Sequence, residues 1–506
     1  MSTRARAARI ALIMAAAIPP SSCSQPARRG EGADQSPVLP GAADIPRIDA
    51  PVPEAFRLDN GLQVWLLRND ASPLATFALV LRGGSTLDPP GKEGLASLTA
   101  TMLDEGAGGR GPLEIAEEVD FLGAQLDIET EREYSHVSLE VLEKNLDAAL
   151  AIVSDIVVRP DFRPSEWERV RTLWMNDLIQ RREEPREVSR IAAERAFYGE
   201  GHPHAHPIDG YESSVRKIEL EDVKKHYASW FRPGAATLIF TGNVSSADLR
   251  RRLEKTLGSW AAVGPEPPAP KQSAPPLGEP RWVLVDKPGA PQTEIRILVP
   301  APPQSDPAVA PLTLANMALG GTFTSRLMSN LRERQKITYG AASSYTSRSS
   351  TGHIAAASAV HAERTGTALV EFCRELRLMG GGKITDEEVL KVRSSIATRV
   401  LEALETQVGA VEIYLESAAL GFPPSERGEF YRALAAAPPA EISRAAAEYF
   451  RWDRATVTLV GDRKVIESQL AEASRTGALQ DVAGTPLVVP SIEIRGREGE
   501  RRDAPE

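Results

Sequence analysis

Two apolar rhythms run along the chain. Short aliphatic runs bounded by glycine or proline, such as "TFALVLRGGS" (Thr76 to Ser85) and "EIRILVPAPP" (Glu294 to Pro303), predict β-strands. Between such runs lie longer stretches with helical spacing. Ser165 with Glu168, and Thr385 with Glu388, have the spacing of capping boxes and predict two helix starts.

The pattern occurs twice. "WFRPGAATLIFTGNV" (Trp230 to Val244) aligns without a gap on "YFRWDRATVTLVGDR" (Tyr449 to Arg463) at an offset of 219 residues. Each copy reads as the end of an amphipathic helix, a short connection and a strand ended by glycine plus Asn or Asp. The two strand-like runs quoted above repeat at 218 and the two capping boxes at 220. These repeats predict an α+β chain of two homologous domains, each a mostly antiparallel sheet covered by helices. The Pro-rich stretch 264–280 reads as an extended linker between domains at 51–263 and 281–480, with 481–506 as a tail. Two such halves could close on each other like a shell.

Residue usage narrows the functional classes. A net charge of -10 over 506 residues argues against nucleic acid as the main partner. An acidic surface is compatible with basic or neutral peptide ligands, although solubility alone accounts for it. At the N-terminus, Arg4, Arg6 and Arg9 precede an apolar run from Ile10 to Ile18 and then Pro19, Pro20, Ser21, Ser22 and Cys23. That is the layout of an export signal over 1–23, too short to span a bilayer. Cys23 stands where a bacterial lipoprotein is acylated, with Pro20 in place of the usual leucine. Residues 24–50 then read as a flexible tether. The expected location is the periplasm, free or membrane-anchored. Cys373 is the sole other cysteine, so no internal disulfide is available.

Four segments carry candidate chemistry: "LDNGLQVWLLRNDASP", "RGGSTLDPPGKEGLASLTATMLDEG", "LGGTFTSRLMSNLRERQKITYGAASSY" and "FTGNV". In this order, from about Pro53 to Ala473, they resemble the insulinase/pitrilysin metallopeptidases, whose zinc helix carries His-x-x-Glu-His. The resemblance implies two related α+β domains per chain, with four such domains enclosing a chamber. It places Ser97 and Thr101 at the two zinc histidines and Ala100 at the catalytic glutamate. The third ligand, a downstream glutamate, falls at Asp177, 76 residues after Thr101. Hydroxyls are poor zinc ligands, and Ala100 offers no base to activate water. No catalytic zinc is therefore expected in this chain.

Other histidines offer little. "GHPHAHP" alternates His202, His204 and His206, but its prolines stiffen it, and the resemblance implies no metal role there. The second half retains more. The resemblance implies that Arg332 and Tyr339 contact substrate backbone beside the scissile bond, where a guanidinium and a phenol can stabilise an oxyanion. Gly320 to Arg326 then helps line the cavity or is a structural turn. The implied role is a zinc-free subunit that pairs with a zinc-bearing subunit of the same family and binds peptide. The alternative is a structural or peptide-binding chamber with no proteolytic role.

Overall fold

The computed structural model describes residues 45–262, 280–479, 489 and 491–502. Most of the linker 264–280, the export segment and Cys23 lie outside these. In the first half, the strands are β1 (Glu54–Arg57), β2 (Gln63–Arg68), β3 (Leu74–Arg82), β4 (Gln125–Thr130), β5 (Tyr134–Leu142) and β6 (Ala236–Gly242). They form one sheet in the order β1-β2-β6-β3-β5-β4. Only the β2–β6 pair is parallel.

The second half repeats the plan with β7 (Arg281–Asp286), β8 (Gln292–Ala301), β9 (Thr338–Ser347), β10 (Gly352–His361), β11 (Thr456–Gly461) and β12 (Ile492–Arg495). Their order is β12-β7-β11-β8-β10-β9. Here β7 runs parallel to both β11 and β12, and the remaining pairs are antiparallel. Both repeated strand ends are present: β6 and β11 end at Gly242 and Gly461 after the helices Leu220–Trp230 and Pro439–Tyr449.

Each sheet has one face on its own domain's helices and the other on a helix from the opposite domain. Phe77, Leu79, Val137 and Leu139 point into the first domain's core. On the reverse face, Trp65, Leu67, Ala78, Val80 and Ile239 meet Val411, Tyr414, Leu415, Ala418 and Ala419 of the helix Gln407–Leu420. Reciprocally, Val188, Ala192 and Ala196 of the helix Pro185–Tyr198 cover Val283, Val285 and Val460. Small residues on these two helices allow close seating on sheets of Val, Ile and Trp. The exchange makes the domains mutually dependent rather than merely tethered.

Three expectations are revised by the structure. The helix expected to start with a Ser165–Glu168 capping box begins at Pro164, with Arg163 as N-cap. Proline at the first helical position fixes the required φ and lacks the amide a cap would satisfy, so Ser165 falls inside the first turn. The Thr385–Glu388 box forms as expected, with Glu388 N donating to Thr385 Oγ1 at 3.2 Å. The stretch assigned to a tail supplies β12, whose "IEIR" alternation is only four residues long. The end of the tether is packed too, since Ile48 joins the second domain's core and the Tyr414 hydroxyl donates to the Pro51 carbonyl.

Candidate functional site

The helix Leu95–Thr101 carries the positions where zinc ligands were sought. Its N-terminus is organised by Asp88, whose carboxylate accepts from the amides of Gly94 and Ala96, both at 2.7 Å. These bonds satisfy amides that have no partner within the helix. Burial nevertheless holds the Asp88 carboxyl well above the usual carboxylate range, against the pull of the same two amides. Ser97 is 5% exposed, and its hydroxyl donates to the Ile208 carbonyl at 2.9 Å. Ala100 is 2% exposed and packed, and Thr101 ends the helix half-buried.

Asp177 lies on the exposed side of the helix Pro164–Arg181, next to buried Leu178. The same helix reaches the loop that holds Ser97: Trp174 Nε1 donates to Asp209 O at 3.0 Å, and Arg181 Nη2 to Gly210 O at 2.7 Å. The two helices that would carry ligands are thus both tied to the carbonyls of Ile208, Asp209 and Gly210. Glycine is required at this junction, because a Cβ at Gly210 would lie 1.9 Å from the Glu93 carbonyl oxygen. A catalytic zinc needs three protein donors and an open position. The positions that match the family's motif offer a committed serine hydroxyl, a methyl group, a threonine and one carboxylate, and this set does not fit the ion. Among the described residues, no group of three or more His, Cys, Asp or Glu is placed to hold a metal.

The "GHPHAHP" imidazoles turn inward. His202, His204 and His206 are all buried, at the contact between the halves. Tyr198 OH and His353 Nδ1 are 2.8 Å apart, and the Tyr198 and His202 rings stack with centroids 5.0 Å apart. Beside them Arg132 is paired with Glu194, and Glu194 also meets Arg190 at 3.2 Å. Burial pushes His206 and His353 down to about 4 and His204 to about 2, so all three are neutral near pH 7.

In the second domain, Arg332 and Tyr339 face solvent. Arg332 lies in a wide π-helical turn, Met328–Arg334, with its guanidinium 4.9 Å from the Phe323 ring centroid. Tyr339 is 81% exposed on β9, the edge strand of its sheet. Between them, Lys336 takes a left-handed backbone with φ 55°, an unusual conformation of the kind often found at functional sites. Gly320 has a structural reason: a Cβ there would sit 2.2 Å from the Ser343 amide nitrogen. Arg326 is held by Glu388, with Nη2 donating to Oε2 at 2.7 Å. The segment between them leaves Phe323 exposed beside Arg332.

Two family models match these halves. Residues 63–205 match the insulinase (peptidase family M16) domain, and residues 217–396 match the peptidase M16 inactive domain. The chain belongs to the M16 family. A relative from Bacillus subtilis, named uncharacterized zinc protease YmxG, is 22% identical over 59% of this chain and 71% of its own length. A Helicobacter pylori relative, named non-peptidase homolog YmxG, is 25% identical over 37% of this chain and 44% of its own. The crystal structure of a peptidase M16 inactive domain from Pseudomonas fluorescens superimposes with a TM-score of 0.75. At 22% identity it spans 81% of this chain and 98% of that one, which establishes the M16 fold.

The loop Ile208–Gly210 and the interlocked helices of this M16 chain escaped sequence reasoning. Backbone carbonyls leave no mark in a sequence. Ala192 and Ala196 fall on Val411 and Leu415 at the repeat offset of 219, but that spacing does not say which sheet each helix covers.

Proposed function

We propose that this chain is the non-catalytic, substrate-holding subunit of a heteromeric zinc metalloendopeptidase. A zinc-bearing subunit of the same family would supply the metal and general base. This chain would supply Arg332, Tyr339 and part of the chamber wall for unfolded peptides. The observation that carries the reading is the asymmetry between the domains. At the metal helix no motif position carries a donor that zinc favours, Ala100 is a buried methyl group, and the one carboxylate left, Asp177, is on the helix Pro164–Arg181. In the other domain Arg332 and Tyr339 remain displayed beside a non-glycine residue with positive φ. A relative named as a non-peptidase homolog supports the same direction.

Chemically, the guanidinium and phenol would accept no proton and form no bond to substrate. They would donate hydrogen bonds to a peptide carbonyl as its oxygen gains charge. On the N-terminal pattern alone, we take the chain to be exported, with Cys23 a candidate acylation site.

The test is reconstitution with a His-x-x-Glu-His subunit encoded in the same genome. Arg332→Ala is expected to lower kcat of the mixture about a hundredfold, with Tyr339→Phe less severe, which is the scale of losing one oxyanion donor. Unchanged activity in both variants would reject their role.

A further inference from the structure

The turn that displays Arg332 is not an α-helical one. Gln335 N donates to Asn330 O at 2.9 Å, a bond across five residues that closes the π turn Met328–Arg334. A π turn holds one residue more than the α turn it replaces, is rare, and occurs often at functional sites. It swings the residues it carries by up to about 100° around the axis, one residue's share of a 3.6-residue turn. Where Arg332 points therefore depends on what keeps this register.

The inward side of the turn is fixed by two carboxylates. Glu371 and Glu375 lie one turn apart on the helix Thr365–Gly380, and both are buried. Asn330, also buried, bridges them: its Nδ2 donates to Glu371 Oε2 and to Glu375 Oε1, each at 2.7 Å. Gln335 Nε2 donates to Glu371 Oε1 at 3.4 Å, and the Arg334 guanidinium stands 3.6 Å from Glu375. Three side chains that bracket Arg332 in sequence are thus tied to one helix, while Arg332 itself faces solvent. The start of the turn is tied to β9, where the Ala341 amide donates to Met328 Sδ at 3.3 Å, two residues beyond Tyr339.

This arrangement is costly for a mere packing contact. Two carboxylates a helical turn apart repel each other, and burial raises Glu375 above the usual carboxylate range, against the pull of Asn330 and nearby arginines. Apolar side chains would hold a turn on a helix at less cost. Directional bonds add register. Sliding the turn by one residue takes Nδ2 away from both carboxylates and leaves them short of a buried donor.

We propose that Asn330 is a positioning residue: bridged to Glu371 and Glu375, it locks the π register and so aims Arg332, beside Tyr339, at the substrate carbonyl. Asn330 stays buried and acts through Arg332, so its part in catalysis rests on the function proposed above.

The first test is structural and uses the full chain alone. It compares crystal structures of Asn330→Leu and of Asn330→Leu/Glu371→Gln/Glu375→Gln, which also removes the buried charges. Both are expected to show an α turn, with Gln335 N on Leu331 O and Arg332 off the Phe323 ring. A retained π turn in either variant would overturn the proposal. The second test uses the mixture with the zinc-bearing subunit. Asn330→Leu is expected to lower kcat about tenfold at unchanged KM, as when a group that acts in the transition state is misplaced. It is expected to cost nothing further in an Arg332→Ala background. A loss that adds in full to that of Arg332→Ala, or no loss where Arg332→Ala has one, would also overturn it. An α turn together with full activity of Arg332→Ala would instead reject the function proposed above and leave Asn330's hold on Arg332 standing.

Discussion

Single residues decide what the motif helix does. In Ser97 the hydroxyl is committed to the Ile208 carbonyl, and Gly94 and Gly210 bring the two backbones together with φ of 99° and 76°. Gly210→Ala forces a methyl group to within 1.9 Å of the Glu93 carbonyl oxygen in a backbone region that suits glycine. Its expected cost is about 2–3 kcal/mol, from overpacking and strain, read as a shift in the urea midpoint. A shift smaller than a quarter of that would mean the loop moves freely and does not hold the helix. Once the resemblance places Ser97, Ala100 and Thr101 at the motif positions, their identities are enough to read them as poor zinc donors, because methyl and hydroxyl groups make poor ligands in any fold. The placement of Asp177 was not, since a position within a helix does not reveal which side faces the neighbour. Arg332 and Tyr339 were singled out only through the order of their surrounding segments.

At the scale of elements, the repeat in the sequence reported the sheets faithfully. Strand periodicity and glycine ends survive as local signals, so β3, β6, β8 and β11 were visible. The exchange of helices was not, because an apolar stripe does not say which sheet it will cover. Tyr414 shows what depends on that exchange. Its ring is fully buried against the first sheet, edge-on to Trp65 at 6.5 Å, although it belongs to the second domain. Tyr414→Ala is expected to cost about 3–5 kcal/mol, the usual range for emptying a large buried site. Because the contact joins the halves, tryptophan fluorescence and far-ultraviolet circular dichroism should move together to lower denaturant. Two separated transitions in the unmodified chain would contradict the interlocked arrangement.

The whole molecule buries six of its seven histidines, and this shapes its response to acid. His136, His206, His226 and His353 are pushed down to about 4 by burial. Unfolded, each would titrate near 6.5. Between those values the unfolded chain binds more protons, so the stability these groups contribute is complete above about 6.5 and is lost as pH falls toward 4. Each contributes a slope of up to about 1.4 kcal/mol per pH unit. Burial raises the carboxyls of Asp88, Glu131, Glu294, Glu375, Glu412 and Glu416, which act in the opposite direction: their contribution is present at low pH and lost as pH rises through their raised values. Each of these imidazoles, with His204, takes up its proton in the unfolded chain between pH 7 and pH 5. A raised carboxyl acts there only as far as its folded value reaches above 5, so the urea midpoint should fall over this interval. A midpoint that rises instead would show that the buried carboxyls dominate.

The proposed division of labour between subunits is tested at the same scale. The most direct measurement compares hydrolysis of an unfolded peptide by the purified chain, zinc-loaded and chelator-treated, with hydrolysis by its mixture with a zinc-bearing M16 subunit. The account predicts no chelator-sensitive cleavage by the chain alone and robust cleavage by the mixture. Chelator-sensitive cleavage by the chain alone, with one bound zinc per molecule and loss on Asp177→Asn, would contradict it.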